Sequence, residues 1–354
     1  MTITREAWVN DLLADVQRNC HISDALHARN YSLCIYLLKM REFYRWEQGY
    51  PFRAPLPKEP LGAWLSEREA LWEELESSDF KPLRFRAGEE HSPFDNSSIN
   101  QHLEQAGLVY SGGYVGAKPH FFLGELERVE RRHGTTIYIS GRELARELVA
   151  PPAMSLENII YLRRESLRRM IWEKLEEWGW SDPNRAIARS VRYYDFKHDF
   201  ETALDTMTRD ELDTLLQHEL GEIEIGYELG PRWEEMLSLL PRSRAEYQLR
   251  AIRDHWVDCQ YTLPWLLEAG RESSLHFFMA NFTALRREIF PELERAYHQW
   301  LEGHGTKNLK EVAHSGAERW RSEAEHALKL FRQHGDDTAP LHDYFSGHEA
   351  TIPT

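Results

Sequence analysis

The stretch QHELGE at 217–222 holds His218, Glu219 and Glu222, an imidazole and two carboxylates within a segment patterned as a helix. Residues of these types at this spacing can ligate a divalent metal or pass a proton, because imidazole is a metal ligand and titrates near neutral pH. A helix advances about 100° per residue, so phase decides which of them share a face with the core. Over 208–229 the apolar set is Leu212, Leu215, Leu216, Leu220, Ile223 and Tyr227. Glu219 falls inside that arc, Glu222 on its edge, and His218 on the far side near Ile225. His218 therefore reads as surface, and Glu219 is the anomaly. A carboxylate in an apolar stripe must be paired, protonated or bound to a cation, because isolated buried charge is too costly.

Similar reasoning picks out further polar residues. In 156–178, read as a helix, Arg163 and Lys174 share the stripe of Ile160, Leu167, Met170 and Trp178, which makes Arg163 a ready partner for Glu219. The segment AIARSVRYYDFKHDFETAL at 186–204 is apolar on two sides and reads as one buried helix. Asp195 and His198 lie there three residues apart, able to bond each other or face one ion. In 244–267, His255 flanks the stripe of Leu249, Ile252, Trp256, Cys259 and Leu263, while Asp254 and Asp258 point away. Pro264 is expected to kink this helix and free a carbonyl. In 273–302, Glu272 and His276 flank a broad apolar face with Met279, Phe282, Leu285 and Ile289.

Four helices thus each offer a carboxylate, an imidazole or both. Carboxylate-bridged di-metal bundles are built from inward Glu and Glu-x-x-His pairs. The present pattern is similar to that scheme only loosely, with Asp195-x-x-His198 and Glu219-x-x-Glu222 in place of Glu-x-x-His. The expected metal ligands are Glu219, Glu222, His276, Glu272 and His255, for iron, manganese or zinc. Arg163, Asp195 and His198 are the acid/base and anion-holding candidates. Cys20, His27 and Cys34 recur every seven residues, but seven residues of helix rise about 10.5 Å, too far to share one ion. They read as an interhelical seam. SGGYVGAKP at 111–119 reads as a tight turn between strands, and no Gly-x-Ser-x-Gly, Cys-x-x-Cys or dinucleotide fingerprint is present.

The elements that must position these residues follow from periodicity and turn signals. Helices are expected at 5–19 and 24–48, the second capped by Ser23-Asp24, then a proline-rich loop at 49–62 and another helix. From 80 to 153 short alternating runs suggest a small α+β module, closed by a short helix in GRELARELVAPP. From 155 the pattern is helical to about 334, with breaks at WGWSDPN, ELGPRW, LPRSR, EAGRES and EGHGTKN. The expected fold is mainly α: a long-helix bundle at 154–335, an N-terminal helical segment at 1–79, the α+β insert at 80–153 and a loose tail at 336–354.

Composition narrows the function. Apolar residues make up 42% and charged residues 29% of the 354, the profile of a soluble globular protein. A net charge of −15 repels phosphate backbones and anionic lipid, which argues against nucleic-acid and membrane partners. No apolar run approaches the roughly 20 residues that span a bilayer, and the N-terminus lacks the order of a secretory signal. Three cysteines are too few and too spread for a disulfide framework, which points to the cytoplasm.

The stretches QRNCHISDALHARNYSLCIYLLKMREFYRW at 17–46, KPHFFLGEL at 118–126 and GRELARELVAPPAM at 141–154 resemble a family of uncharacterised bacterial proteins. The resemblance implies a bacterial cytoplasmic protein matched over its full length and transfers no catalytic residue. Two functions fit the sequence. One is a metal-dependent enzyme with a carboxylate/histidine pocket inside a helical bundle, acting on an unidentified small molecule. The other is a non-catalytic scaffold or regulator, with structural ion pairs inside and an acidic surface for a protein partner.

Overall fold

A computed structural model describes residues 7–115, 118–132, 134–178 and 185–347. The chain divides into two compact units, Met1–Trp172 and Glu173–Thr354. The sequence breaks expected at 79/80 and 153/154 are not where it divides. The helices before residue 80 share a core with the strands that follow, and the boundary falls after Trp172. No helix among the described residues is long and apolar enough to cross a membrane.

In the N-terminal unit, α1 (Ala7–His27) lays Val9, Leu12, Val16 and Cys20 on Leu83, Phe85, Phe121 and Leu123. Ser23 and Asp24 cap no helix, contrary to expectation. They lie inside α1, where Ser23 Oγ donates to the Pro119 carbonyl at 2.6 Å and Asp24 Oδ2 accepts from Leu148 N at 2.8 Å. Their side chains bond distant backbone instead of local N–H groups, so the helix continues through them. Next come α2 (Leu33–Glu47) and α3 (Lys58–Leu75), joined to α1 by a second cluster with Ile22, Met40, Phe43, Trp64 and Trp72. In the expected seam, Cys20 is buried but Cys34 is exposed.

A two-stranded ribbon, β1 (Leu83–Arg84) with β2 (Glu90–His91), precedes α4 (Asn96–Leu103). Then come β3 (Leu108–Val115), β4 (Lys118–Arg132), β5 (Thr135–Ala145), β6 (Ala153–Leu156) and β7 (Ile159–Arg163), in the sheet order β3-β4-β5-β7-β6. All pairs are antiparallel except β5 with β7. Register shifts between Leu123 and Arg128 interrupt the β4–β5 ladder, and such bulges bend a sheet. Of the turns expected around the first two strand junctions, residues 116, 117 and 133 lie outside the described residues. The β part is larger than a small insert, and two expected helical stretches belong to it. GRELA ends β5, and the run before α5 is the β6–β7 hairpin, turned at Glu157 with φ 53°. Strand pairing and the β-branched run IIYLR override helical propensity in both places.

The exposed edge of β3 is closed by side chains. Asn96 exchanges two hydrogen bonds with Gly112, at 2.7 and 2.8 Å, and Asn100 two with Tyr110, at 2.8 and 2.9 Å. Four helical residues rise about 6 Å and two strand residues about 6.6 Å, so asparagines at i and i+4 meet strand residues at i and i+2. At Tyr110 and Gly112 the edge is thus blocked to another strand.

α5 (Arg164–Trp178) leads towards the C-terminal unit, and residues 179–184 of the expected break lie outside the described residues. The helix expected over 186–204 is two. α6 (Ala186–Val191) ends, and α7 (Phe200–Leu229) begins where Asp199 accepts from Thr202 N at 3.1 Å. α8 (Pro231–Ser238) and α9 (Arg244–Val257) follow. The Pro264 irregularity is a π turn, Asp258–Thr262, before α10 (Leu263–Glu268). Proline lacks the N–H an α-helix needs there, and the wider turn absorbs the defect. Glycines flank it: a Cβ on Gly221 of α7 would sit 2.8 Å from Tyr261 Cδ2, and one on Gly316 2.7 Å from Cys259 Sγ. The long helix expected over 273–302 is three, α11 (Glu272–Ala280), α12 (Ala284–Ile289) and α13 (Pro291–Leu301), because Thr283 caps one start and Pro291 sets another. α14 (Lys307–His334) supplies Gly316 and Trp320 to the core. The tail is not loose throughout: α15 (Ala339–Gly347) buries Leu341 and Phe345.

Candidate functional site

α7 is covered on two sides. Its expected stripe is buried at Leu212, Leu216 and Ile223, with Glu219 inside it. A second stripe runs His218, Glu222, Ile225, Leu229 at helical spacing, with Ile225 and Leu229 fully buried. His218 is therefore half-buried, not a surface residue, and it is the centre of a charge cluster. His218 Nδ1 lies 2.8 Å from Asp258 Oδ1, and Nε2 lies 3.7 Å from Glu222 Oε1. Arg253 Nη2 donates to Glu222 Oε1 at 2.9 Å and approaches Asp254 at 4.0 Å. Arg286 of α12 bonds the other oxygen of Asp258. Neither Asp254 nor Asp258 points away to solvent as expected, because the second face of α9 is covered by α7 and α12.

Three carboxylates, Glu222, Asp254 and Asp258, thus meet three cations, His218, Arg253 and Arg286. Burial alone would push His218 down, but Asp258 and then Glu222 hold its imidazolium, and its pKa lies well above 6.5. Burial likewise opposes ionisation of Glu222, yet Arg253 and His218 bring it to about 2. Asp258 falls below the usual carboxylate range because Arg286 and His218 outweigh its burial. Donor atoms of His218, Glu222 and Asp254 lie within 4.8 Å of one another, a spacing that could hold a metal. An ion there must displace the His218 proton and compete with Arg253.

The other expected ligands are dispersed. Glu219 places its charge beside Arg253. His255 is buried, stacked on Trp320 at 4.8 Å, with Arg286 Nη2 3.3 Å from its Nδ1; burial and then Arg286 push its pKa far down. Glu272 accepts from Tyr193 OH, and His276 Nδ1 bonds Tyr297 OH, each at 2.7 Å. Burial, then Arg189, lowers His276 to about 4. Asp195 and His198 do bond, at 2.7 Å, but in the turn before α7 their side chains are 64% and 71% exposed; they form no buried dyad. Sequence reasoning missed Glu211, buried seven residues after Leu204 on the same stripe and raised to about 7 by burial.

Arg163 does not neutralise Glu219. It ends β7, fully buried, with Nε 2.6 Å from Glu143 Oε1, Nη1 3.6 Å from Glu147 Oε2, and its guanidinium 4.3 Å from the Phe122 ring centre. Ser166 Oγ also donates to Glu143, at 2.6 Å. Glu147 accepts from Phe121 N and lies 3.3 Å from His120 Nδ1. Burial opposes its charge, but His120 and Arg163 bring it to about 2. Lys118 Nζ lies 3.4 Å from Asp24, whose burial raises it to about 6. Lys174, the other expected partner, pairs locally with Glu177 at 3.5 Å. Glu143, Arg146 and Glu147 of GRELAREL thus point into the core of the N-terminal unit as a self-neutralising network, while Arg142 is exposed.

One surface stands out against these closed networks. Leu33, Ile35, Leu37 and Leu38 of α2 are 44–71% exposed, as is Leu26 of α1 at 45%. Beside them a groove of about 630 Å³ is lined by Ala25, Ala28, Tyr31, Tyr36 and Trp72, with Glu69 and Glu73 at its rim.

Residues 11–163 match the model for the N-terminal domain of a family of unknown function, DUF6866, and residues 168–345 match the model for its C-terminal domain. The gap between the two matches falls at the start of α5, close to the division between the compact units. No curated protein and no solved structure matches the chain.

Proposed function

We propose a role on the premise that this chain belongs to the DUF6866 family of unknown function, through both its N- and C-terminal domains. The protein acts as a non-catalytic scaffold or regulator that takes an amphipathic, basic segment of a protein partner into the groove between α1, α2 and α3. The exposed apolar run of α2 carries this reading, since contiguous apolar surface with a polar rim marks an interaction site. Glu69, Glu73 and the net charge of −15 favour a cationic partner. The internal carboxylates of the two charge networks, met by cations, hold the fold. The three unpaired cysteines suit a bacterial cytoplasm.

A labelled leucine/lysine helical peptide serves as the probe, titrated with the full chain and read by fluorescence anisotropy. Saturable 1:1 binding is expected, and the double variant Leu33→Glu, Leu38→Glu should weaken it at least about tenfold, the loss of one or two buried leucine contacts. The variant adds negative charge, so mere electrostatic attraction would strengthen instead. Unchanged or tighter binding overturns the proposal. A second reading keeps metal chemistry at His218, favoured by the convergence of His218, Glu222 and Asp254. Stoichiometric iron, manganese or zinc that leaves with Glu222→Gln would support it.

A further inference from the structure

Three residues that no periodicity picks out converge at one edge of the N-terminal unit. Glu89 precedes β2, His91 lies in it, and His102 sits in the last turn of α4; each offers a donor atom within 4.8 Å of the others. Their supports are tied into the fold. The ribbon is tied by the Phe85 N–H to the Glu89 carbonyl at 2.8 Å. α4 is held by Asp95, which accepts from Ser98 N at 3.1 Å, and by the buried Ile99 and Leu103. Phe85 fixes both imidazoles: its ring centre lies 5.1 Å from that of His91 and 5.6 Å from that of His102, and the two imidazoles stand 5.4 Å apart. Phe85 in turn stacks on Trp8 at 6.0 Å.

The contrast with the His218 centre is chemical. There each carboxylate already has an arginine. Among the described residues no arginine or lysine pairs with Glu89, and no carboxylate pairs with His91 or His102. The two imidazoles and one carboxylate are therefore available as ligands. Two histidines and a carboxylate with open positions are a donor set for zinc and its transition-metal neighbours, whereas magnesium and calcium prefer oxygen cages. Glu89 and His102 are exposed and His91 is half-buried, so an ion can enter from solvent and keep water in its remaining positions.

We propose that Glu89, His91 and His102 form a binding site for one divalent transition-metal ion of the zinc class. The site is independent of the partner groove and of the His218 centre. The test is titration of the untagged, chelator-treated full chain with cobalt(II), followed by its visible d–d absorption, then displacement by zinc. One cobalt per chain is expected, displaced by zinc and not by magnesium. His91→Ala and His102→Ala should each weaken binding by at least about tenfold, the loss seen even for residues that only support a ligand. Both variants should melt as the wild type does, and Glu222→Gln should bind cobalt unchanged. No binding by the wild type, or binding that survives the double histidine variant, overturns the proposal. Binding lost in Glu222→Gln and retained in the double histidine variant places the ion at His218 instead and equally overturns it.

Discussion

An Arg163→Met variant is expected to lose roughly 3–5 kcal/mol of stability, because removing one partner strands buried carboxylates. Glu143 and Glu147 are both fully buried and both face this guanidinium. For a unit of this size that loss lowers the melting temperature by roughly 10 °C. The comparison that isolates the charge is Arg163→Met combined with Glu143→Gln and Glu147→Gln, which removes the anions as well. Part of the stability should return, since the stranded anions are gone; recovery stays incomplete because the buried Arg146, 3.9 Å from Glu143, loses its own partner. If the single variant melts within about 2 °C of the wild type, less than about 1 kcal/mol rides on the network. The reading of GRELAREL as structural would then fail.

The second large effect is a stability that falls as pH rises. His218 has a folded pKa well above its ordinary 6.5. Its contribution is therefore complete below pH 6.5 and is lost as pH climbs through the folded value, at up to about 1.4 kcal/mol per pH unit. Asp258, Glu222 and Asp254 face the imidazolium from α7 and the α9–π segment, with Arg253 and Arg286 behind them. Most other shifted groups fall outside the window from pH 7 to 8.5. Glu222 at about 2 and Asp258 below its ordinary range contribute only changes in acid. His21 at about 3, His276 at about 4 and His255 well below 6.5 penalise the fold only below pH 6.5. Asp24 at about 6 has largely finished titrating, while Glu211 at about 7 and the raised thiols of Cys20 and Cys259 add a smaller fall of the same sign. His218 accounts for a drop in urea midpoints between pH 7 and 8.5 equivalent to up to about 2 kcal/mol, so the wild type should fall clearly more steeply than His218→Gln. Parallel slopes in the two proteins would show that His218 carries no raised pKa.

How much of this was legible in the sequence depends on whether a partner was local. The burial of Glu219 followed from helical phase alone, since α7 is a regular helix. His218 was misjudged because phase describes one helix, and the second covering comes from Asp258 on a π turn whose main sequence sign is Pro264. Arg163 was recognised as buried, but its partners Glu143 and Glu147 sit in a segment with helical spacing that the sheet holds extended. Pairing between β5 and β7 spans about twenty residues and leaves no local periodicity. Two errors had visible remedies: Thr283 with Pro291, and Asp199 before its threonine, are capping and start signals that divide the long helices. Glu89, His91 and His102 had none, because a two-residue ribbon and a short helix meet only through the fold.

The placement of the cysteines makes the opening of each unit a separate rate. Cys20 is buried in the N-terminal unit, with Sγ 3.2 Å from the Phe121 carbonyl oxygen; Cys259 is buried in the C-terminal unit against the Gly316 backbone; Cys34 is exposed. Burial, reinforced by Glu147 for Cys20 and Asp258 for Cys259, pushes both buried thiols above their ordinary range, so neither is nucleophilic while covered. A thiol reagent consumes Cys34 first and then waits. The second and third labelling events are gated by local or global opening of the unit that holds each thiol. The unmodified chain thus carries a clock in each domain, and the order in which the two run reports which half of the molecule comes apart first under native conditions.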